Sequence, residues 1–395
     1  MSLLLSEAVL SEPLRVVSVD VTGLWRTLPY VVDDELRFVR RAETLGDIVS
    51  RLEQAVVALR SFEVFEDVQA SVGRNAGGGA RIAVTIKEKQ VGALKIGAST
   101  SDDVSFEASG WLRGILGHAE ICRVAFSRSR PSKDMLASVR RQRIGGTPVD
   151  AAIELQDGDA AAPWAPATSK VKTRACRVVA TTPLDGLTLE LAERSEDETS
   201  LKLSAKFAKR LDTREPRAAP LRGSLFDASV EVAGLLGASF VKLEAAFQRH
   251  VPILPAVLSF GVRGGVLFDE GAHFRPDRFY LGAPSFRGFD RAGVGPRSKA
   301  SAHGGTLSYS LLAMLSLPLA PKSQDVLRGH AFLTLGGLAD DPGTAIANPR
   351  ATFGLGVCLA PQALLRLEIN YAALVKAHPA DLVTRFHFLF SADFL

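Results

Sequence analysis

Along most of this chain apolar and polar residues alternate with a period of two. From Phe240 to His250, Val241, Leu243, Ala245 and Phe247 fall on one face, and Lys242, Glu244 and Gln248 on the other. Leu201 to Lys209 sets Leu201, Leu203, Ala205 and Phe207 against Lys202, Ser204 and Lys206. Leu365 to Tyr371 sets Leu365, Leu367, Ile369 and Tyr371 against Arg366, Glu368 and Asn370. Phe386 to Phe394 sets Phe386, Phe388, Phe390 and Phe394 against His387, Ser391 and Asp393. Side chains alternate between the two faces of a strand, so each segment predicts a strand with one face suited to lipid and one to water. After Val91 no helix is expected, only about sixteen such segments: 92–101, 104–112, 119–130, 133–144, 149–159, 169–182, 187–198, 200–212, 223–235, 239–253, 256–268, 305–319, 326–340, 351–361, 363–376 and 381–395. An even number of antiparallel strands can close into a barrel without a free edge, bringing both ends to one side. The expected fold is mainly β, a transmembrane barrel of about 16 antiparallel strands. A soluble β-sandwich would alternate too, but would not need so many long two-sided strands or a phenylalanine-rich C-terminus.

Before Val91 the period changes. Leu14 to Val21 alternates, and Pro29 to Arg41 and Leu45 to Ser61 carry helical spacing. In the second of these, Ile48, Leu52, Val56, Val57 and Leu59 share a broad face, and Thr44 is placed to cap the helix. Phe65 to Val72 and Arg81 to Glu88 alternate again across the turn Gly77-Gly78-Gly79, which joins two strands and so is no phosphate loop. Strand, two helices and two strands predict a small α+β domain with edge strands at 14–21 and 65–72. The longest later connections, 160–168, 269–304 and 341–350, fall at one end of the expected barrel. The proline-rich 213–220 segment is a long turn at the other.

The chain has 395 residues, 47 basic and 43 acidic, and a formal net charge of +4. That excess is too small to argue for nucleic acid, and a basic barrel lumen accounts for it equally well. Cys122, Cys176 and Cys358 are far apart and predict free thiols in strands, neither disulfides nor a zinc site. The first residues lack a basic stretch before their apolar run, which argues against a bacterial secretory precursor. No window is long and apolar enough for a membrane-spanning helix, which does not count against a barrel. H-E-x-x-H, G-x-S-x-G and the P-loop pattern are absent. Ser239 and Lys242 form an S-x-x-K, but on a strand they point to opposite faces. The seven histidines are scattered singly. Neither an enzyme, a metal site nor a cofactor is expected.

Asp277 to Arg297, DRFYLGAPSFRGFDRAGVGPR, breaks the alternation. Loops this long inside a compact domain usually have a task. Phe279, Tyr280, Phe286 and Phe289 are interleaved with Gly282, Gly288, Gly293 and Gly295, around the isolated cation Arg287. So aromatic a loop should fold back and dock.

The DRFYLG stretch, the S-x-RGF at Ser285 to Phe289 and the G-x-GP after it resemble the signature loop of the POTRA-plus-barrel, BamA-like superfamily of outer-membrane assembly proteins. The pattern is closest to the branch that forms the core of the mitochondrial sorting and assembly machinery. FEVFEDVQASV, LRGILGHAE, APLRGSLF and LRLEINY are secondary matches. The resemblance implies a tail at 1–13, one POTRA domain at 14–90 and a barrel at 91–395 with loop 269–304 inserted in its lumen. It implies that the protein assembles β-barrel precursors and inserts them into the mitochondrial outer membrane, templating their strands at a lateral seam. The POTRA domain would then lie in the intermembrane space. Partners would be unfolded precursors, outer-membrane lipid and accessory subunits of an assembly complex, with no nucleic acid. A passive pore, or a barrel for polypeptide secretion or plastid-envelope translocation, is the alternative reading.

The functional loop residues are then Ser285, Phe286, Arg287, Gly288 and Phe289. The seam is expected between the first and last strands, marked by Gly92, Ser101, Phe388, Leu389 and Phe394. Related last strands carry a glycine near Leu389, so either a kink here comes from Ser391 or Ala392, or the seam is less mobile than in relatives. The family's arginine pairs with an acid on the barrel wall, commonly two strands on. Here that strand reads Phe332 to Gly337 without an acid. Glu368, on the inward face with Arg366 and Asn370, is the expected partner, and exchanging the two charges should restore part of what either single change loses. The alternative is that Arg287 bonds only to loop carbonyls.

Overall fold

The computed structural model describes residues 11–75, 78–100, 104–128, 132–162, 164, 170–196, 199–217, 219–234, 239–269, 275–298, 301–319, 326–360 and 365–392. The N-terminal domain holds β1 (Val16–Thr22), α1 (Pro29–Leu36), α2 (Leu45–Arg60), β2 (Phe65–Arg74) and β3 (Ala80–Glu88). Its sheet runs β1-β3-β2, with β1 parallel and β2 antiparallel to the central β3. The alternating strands β1 and β2 are thus both edges.

The Thr44 hydroxyl accepts from Asp47 N–H at 3.2 Å and starts α2, satisfying one donor that the first turn leaves orphaned. Ile48, Leu52, Ala55 and Leu59 form its buried stripe, packing on Phe62, Val68, Ile82 and Val84. Val57, expected on that face, is exposed, and Ala55 takes the inward place. The apolar run there is wider than the stripe that the sheet can cover. The first helical stretch ends at Leu36 and gives way to a separate 3-10 turn, Val39–Arg41.

Sixteen strands follow in one antiparallel sheet. They are β4 (Gly92–Thr100), β5 (Val104–Arg113), β6 (Glu120–Arg128), β7 (Lys133–Arg141), β8 (Asp150–Ala161), β9 (Lys170–Thr181), β10 (Asp185–Ser195) and β11 (Thr199–Asp212), then β12 (Gly223–Ala233), β13 (Phe240–Ile253), β14 (Ala256–Asp269), β15 (Leu307–Pro318), β16 (Leu327–Ala339), β17 (Arg350–Leu359), β18 (Leu365–Lys376) and β19 (Phe386–Ala392). Each pairs with its neighbours in chain order, and the sheet ends at β4 and β19. Apolar residues of the alternating pattern, Leu201, Phe207, Val241, Phe247, Ile369 and Phe388 among them, lie exposed on one face. Lys202, Ser204, Glu368, Asn370 and His387 lie buried on the other. A sheet that shows its apolar face outward and hides its charges is inverted relative to a water-soluble barrel, as lipid requires. Cys122, Cys176 and Cys358 are free, in β6, β9 and β17.

Two expectations need correction. A helix does occur after Val91: α3 (Pro342–Ala347), capped by Asp341, whose carboxylate accepts from Thr344 N–H at 3.0 Å. Six residues are too few for a helical period to register. The last strand begins at Phe386 and not at 381, because the preceding residues leave the ladder to bond elsewhere. From Phe386 to Ala392 its pairing with β18 is regular, with no register shift at Ser391.

The chain forms two compact units, Met1–Gly158 with Ala175–Pro183, and Asp159–Arg174 with Leu184–Leu395. The α+β domain and the first strands of the large sheet both fall in the first unit. Arg143, in the turn after β7, forks onto Glu35 of α1 at 2.8 and 2.9 Å. That hydrogen-bonded carboxylate holds the guanidinium's pKa above its usual value. Next to it, Gln142 Oε1 accepts from Glu63 N–H at 2.8 Å.

Candidate functional site

The loop between β14 and β15 and the residues it touches lie within the second unit. The loop between β14 and β15 is narrowed at its neck by reciprocal backbone bonds between Phe279 and Gly305, 2.9 and 3.0 Å long. Asp277 receives both terminal nitrogens of Arg194 from β10, at 2.6 and 3.0 Å, with both side chains buried. Tyr280 stacks on Trp164 at 5.1 Å, and burial pushes its phenol well above the usual range. Arg278 is paired with Asp340 beyond β16.

Past the neck, Phe286 N–H donates to Gly282 O at 2.9 Å and turns the chain back. Phe286 and Phe289 stack at 5.3 Å, both without solvent exposure, in a cluster with Phe279, Leu281, Val294 and Leu338. Gly336 makes room for this, since a Cβ there would lie 2.8 Å from the Phe286 ring. The Ser285 hydroxyl stays local, donating to Gly282 O at 3.2 Å.

Arg287 Nη2 donates to Glu368 Oε2 at 3.0 Å, and the guanidinium lies 5.1 Å from the Phe332 ring centroid. Phe332 thus occupies the wall where an acid is missing. Arg366 donates to the other oxygen of Glu368, so one carboxylate serves two guanidiniums. Burying a phenylalanine contributes about 1.5–3 kcal/mol. A buried ion pair returns little beyond the cost of its own desolvation. The two rings therefore hold the loop against the wall, and the Arg287–Glu368 pair sets where it docks.

Gly288 has φ +96°, and a Cβ there would sit 2.6 Å from Thr352 Cγ2. Thr352 itself donates to the Arg287 carbonyl at 2.9 Å. Gly288→Ala is expected to cost roughly 1–3 kcal/mol in backbone strain alone, with the clash added. Thr352→Ser, which removes the methyl group and keeps the hydroxyl, should recover part of the deficit. Folded yield and unfolding midpoint of the single and double variants would measure both effects, and a Gly288→Ala protein as stable as the wild type would contradict this geometry.

The loop is also fastened to the connection before β19. Gly288 N–H donates to His387 Nε2 at 2.8 Å, which makes that nitrogen the acceptor. Thr384 N–H donates to Gly288 O at 3.2 Å, Asp290 N–H to Leu382 O at 2.9 Å, and Leu382 N–H to Gly293 O at 2.8 Å. Asp381, its side chain without solvent exposure, accepts from Gly295 N–H at 3.0 Å, His378 N–H at 2.7 Å, and Arg350 at 3.0 and 3.2 Å.

The structure thus brings Ser285 to Phe289 and Glu368 into one cluster. Leu389 joins it, facing Glu368 across the β18–β19 ladder. Phe388 points outward, and Gly92 lies in the other terminal strand, in the first unit. Ser101 and Phe394 lie outside the described residues. Arg350, Asp381 and His387 were not singled out from the sequence. The one available signal was Pro379, which interrupts the alternation just before Asp381. Below the loop tip is a cavity of about 390 Å³ lined by His250, Ser259, Arg328, His330, Arg366 and Glu368. Among the described residues no group of three or more His, Cys, Asp or Glu could hold a metal.

A small α+β domain, then sixteen antiparallel strands with apolar outer and polar inner faces, and a loop folded onto the inner face, define a membrane barrel of the POTRA-bearing class. The profile of the Omp85 superfamily domain matches residues 136–394, and the chain belongs to that superfamily. It is similar to the sorting and assembly machinery component 50 homolog of Mus musculus, 27% identical over 403 residues, covering 91% of this chain and 86% of that protein. The human homolog is 26% identical with the same coverage. Among solved structures, BamA from Haemophilus ducreyi lacking POTRA domains 1–3 superposes with a TM-score of 0.79. That match covers 96% of this chain and 84% of the BamA chain at 17% identity, a likeness of fold.

Proposed function

We propose that the protein assembles β-barrel precursors and inserts them into the mitochondrial outer membrane, templating precursor strands at the ends of its own sheet. The observation that carries this reading is the docking of the RGF loop onto the connection leading into β19. The loop is fastened to one terminal strand of the barrel, where it can brace that edge or release it. An edge strand presents unpaired N–H and C=O groups that an incoming strand can satisfy. Backbone hydrogen bonding and lipid burial then drive insertion. Gly92 and the rest of β4 form the other end of the templating seam, with Phe388 and Leu389 on β19. Unfolded precursors, lipid and accessory subunits are the partners, and the α+β domain faces the intermembrane space. A passive pore is not favoured, because such a channel has no use for a loop clamped to one terminal strand.

Depletion tests this. Loss of the protein should lower several unrelated outer-membrane barrels together. Disulfide locking of β4 to β19 should stop assembly with the barrel still folded. Steady levels of other barrels after depletion would refute the role, and assembly unaffected by the lock would refute the seam.

A further inference from the structure

The segment joining β1 to α1 is strapped down by polar bonds that all run inward. Arg26 donates to Glu88 Oε2 at 3.0 Å, to the Arg113 carbonyl at 2.9 Å and to the Lys89 carbonyl. Thr27 N–H donates to Glu88 Oε1 at 2.9 Å, and Leu28 N–H to Gly117 O at 2.8 Å. Burial alone would raise the pKa of Glu88, but the bonds from Thr27 and Arg26 outweigh it and hold that carboxyl below its usual range. The β5–β6 turn is built alike. Buried Glu120 accepts from Leu116 N–H at 2.6 Å and His118 N–H at 2.9 Å.

With the backbone satisfied from inside, the apolar side chains are turned out. Trp25 is 65% exposed, Leu116 64%, Ile115 53% and Leu28 42%. Tyr30 stands beside them, its hydroxyl 2.6 Å from His118 Nδ1 and its ring under the Arg141 guanidinium at 5.6 Å. Leu28 lies against Gly117, which sets the two segments side by side, and exposed apolar side chains gathered on a rigid frame mark a contact surface.

Its occupant is indicated by what it continues. Leu112, the last outward residue of β5 before this turn, lies on the exposed apolar face shared with Leu94, Val124 and Val139. The patch therefore prolongs the lipid-facing band of the barrel onto the α+β domain. Tryptophan, tyrosine and arginine where such a band ends are the residues of the bilayer–water boundary.

We propose that Trp25, Leu28, Tyr30, Ile115 and Leu116 form a foot seated in the headgroup layer of the bilayer that the barrel spans, with Arg141 against lipid phosphate. The foot sets the height of the α+β domain at the membrane surface. This rests on the reading of the strands as membrane-spanning, and not on the assembly role.

The test uses the full chain in phosphatidylcholine vesicles containing some phosphatidylglycerol, with Trp25 as sole tryptophan through Trp111→Phe and Trp164→Phe. Nitroxide on the lipid headgroup should quench Trp25 about twofold more than nitroxide at mid-chain, and aqueous iodide should quench it little. If the double variant does not fold, the difference in quenching between wild type and Trp25→Phe supplies the same reading. Free quenching by iodide with none by either nitroxide would overturn the foot. So would iodide shielding that depends on protein concentration without nitroxide quenching, which assigns the patch to a second copy of the chain. Resistance to alkaline extraction is measured in parallel. An extractable protein refutes the membrane-spanning reading itself, whereas a resistant protein with Trp25 in water refutes the foot alone.

Discussion

Glu368→Ala is expected to damage the protein more than Arg287→Ala. Both changes break the same 3.0 Å pair, and removing one side of a buried ion pair typically costs about 3–5 kcal/mol. The two losses differ in what they leave behind. Without Arg287, Glu368 keeps Arg366 as a partner, and the cost belongs at the lower end of that range. Without Glu368, the Arg287 and Arg366 guanidiniums are left facing one another without the charge between them, and the cost belongs at or above the upper end. Glu368→Gln, which keeps an acceptor oxygen and loses the charge, should fall between. The same arrangement revises the expectation for charge exchange. Arg287→Glu combined with Glu368→Arg restores a pair on paper, but sets the new arginine against Arg366, so little recovery is expected. Unfolding midpoints and precursor-assembly rates of the four variants decide the matter. Equal losses for the two alanine variants, or clear rescue by the exchange, would mean that Arg366 takes no part.

Much of the architecture was legible because a barrel in lipid writes its geometry into the sequence. Period two, with Phe247 and Ile369 facing out and Lys202 and Glu368 facing in, gives strand, face and register together. That Arg287 pairs with a wall acid was implied by the resemblance, and alternation then narrowed the choice to Glu368. Alternation fixes the inward carboxylates, and the β16 wall, with Phe332 opposite the guanidinium, contains none. What stayed hidden has no period. Asp381 lies in a stretch assigned to the last strand, although the backbone groups of Leu382 and Thr384 pair with the loop. The contacts of Arg26 and Arg143 with Glu88 and Glu35 join residues 62 and 108 apart in sequence, and no local pattern reports such pairs. Val57 failed for a related reason, since helical spacing gives an apolar arc and only the packed sheet determines how much of it is covered.

The second large effect is expected at Asp381. Its Oδ1 accepts from Gly295 N–H and an Arg350 terminal nitrogen, and its Oδ2 from His378 N–H and Arg350 Nε. All four partners can only donate. In Asp381→Asn one of the two oxygens becomes an NH₂ group, which must then face two donors. A substitution that hardly changes shape should therefore be nearly as harmful as Asp381→Ala. Each buried donor left unsatisfied costs about 1–3 kcal/mol, more where it is charged, as for Arg350. The consequence should be local first. Gly295 loses its tie, the bonds from Leu382 to Asp290 and Gly293 lose their support, and the loop separates from the connection into β19. Arg291 lies exposed in that loop, so trypsin should cleave after it in Asp381→Asn and spare it in the wild type. Precursor assembly should fall in step with the cleavable fraction while the sixteen-stranded sheet persists. An Asp381→Asn protein whose loop resists trypsin and whose assembly rate is unchanged would show that the clamp does not hold the loop. Loop release with normal assembly would show instead that the last strand does not depend on it.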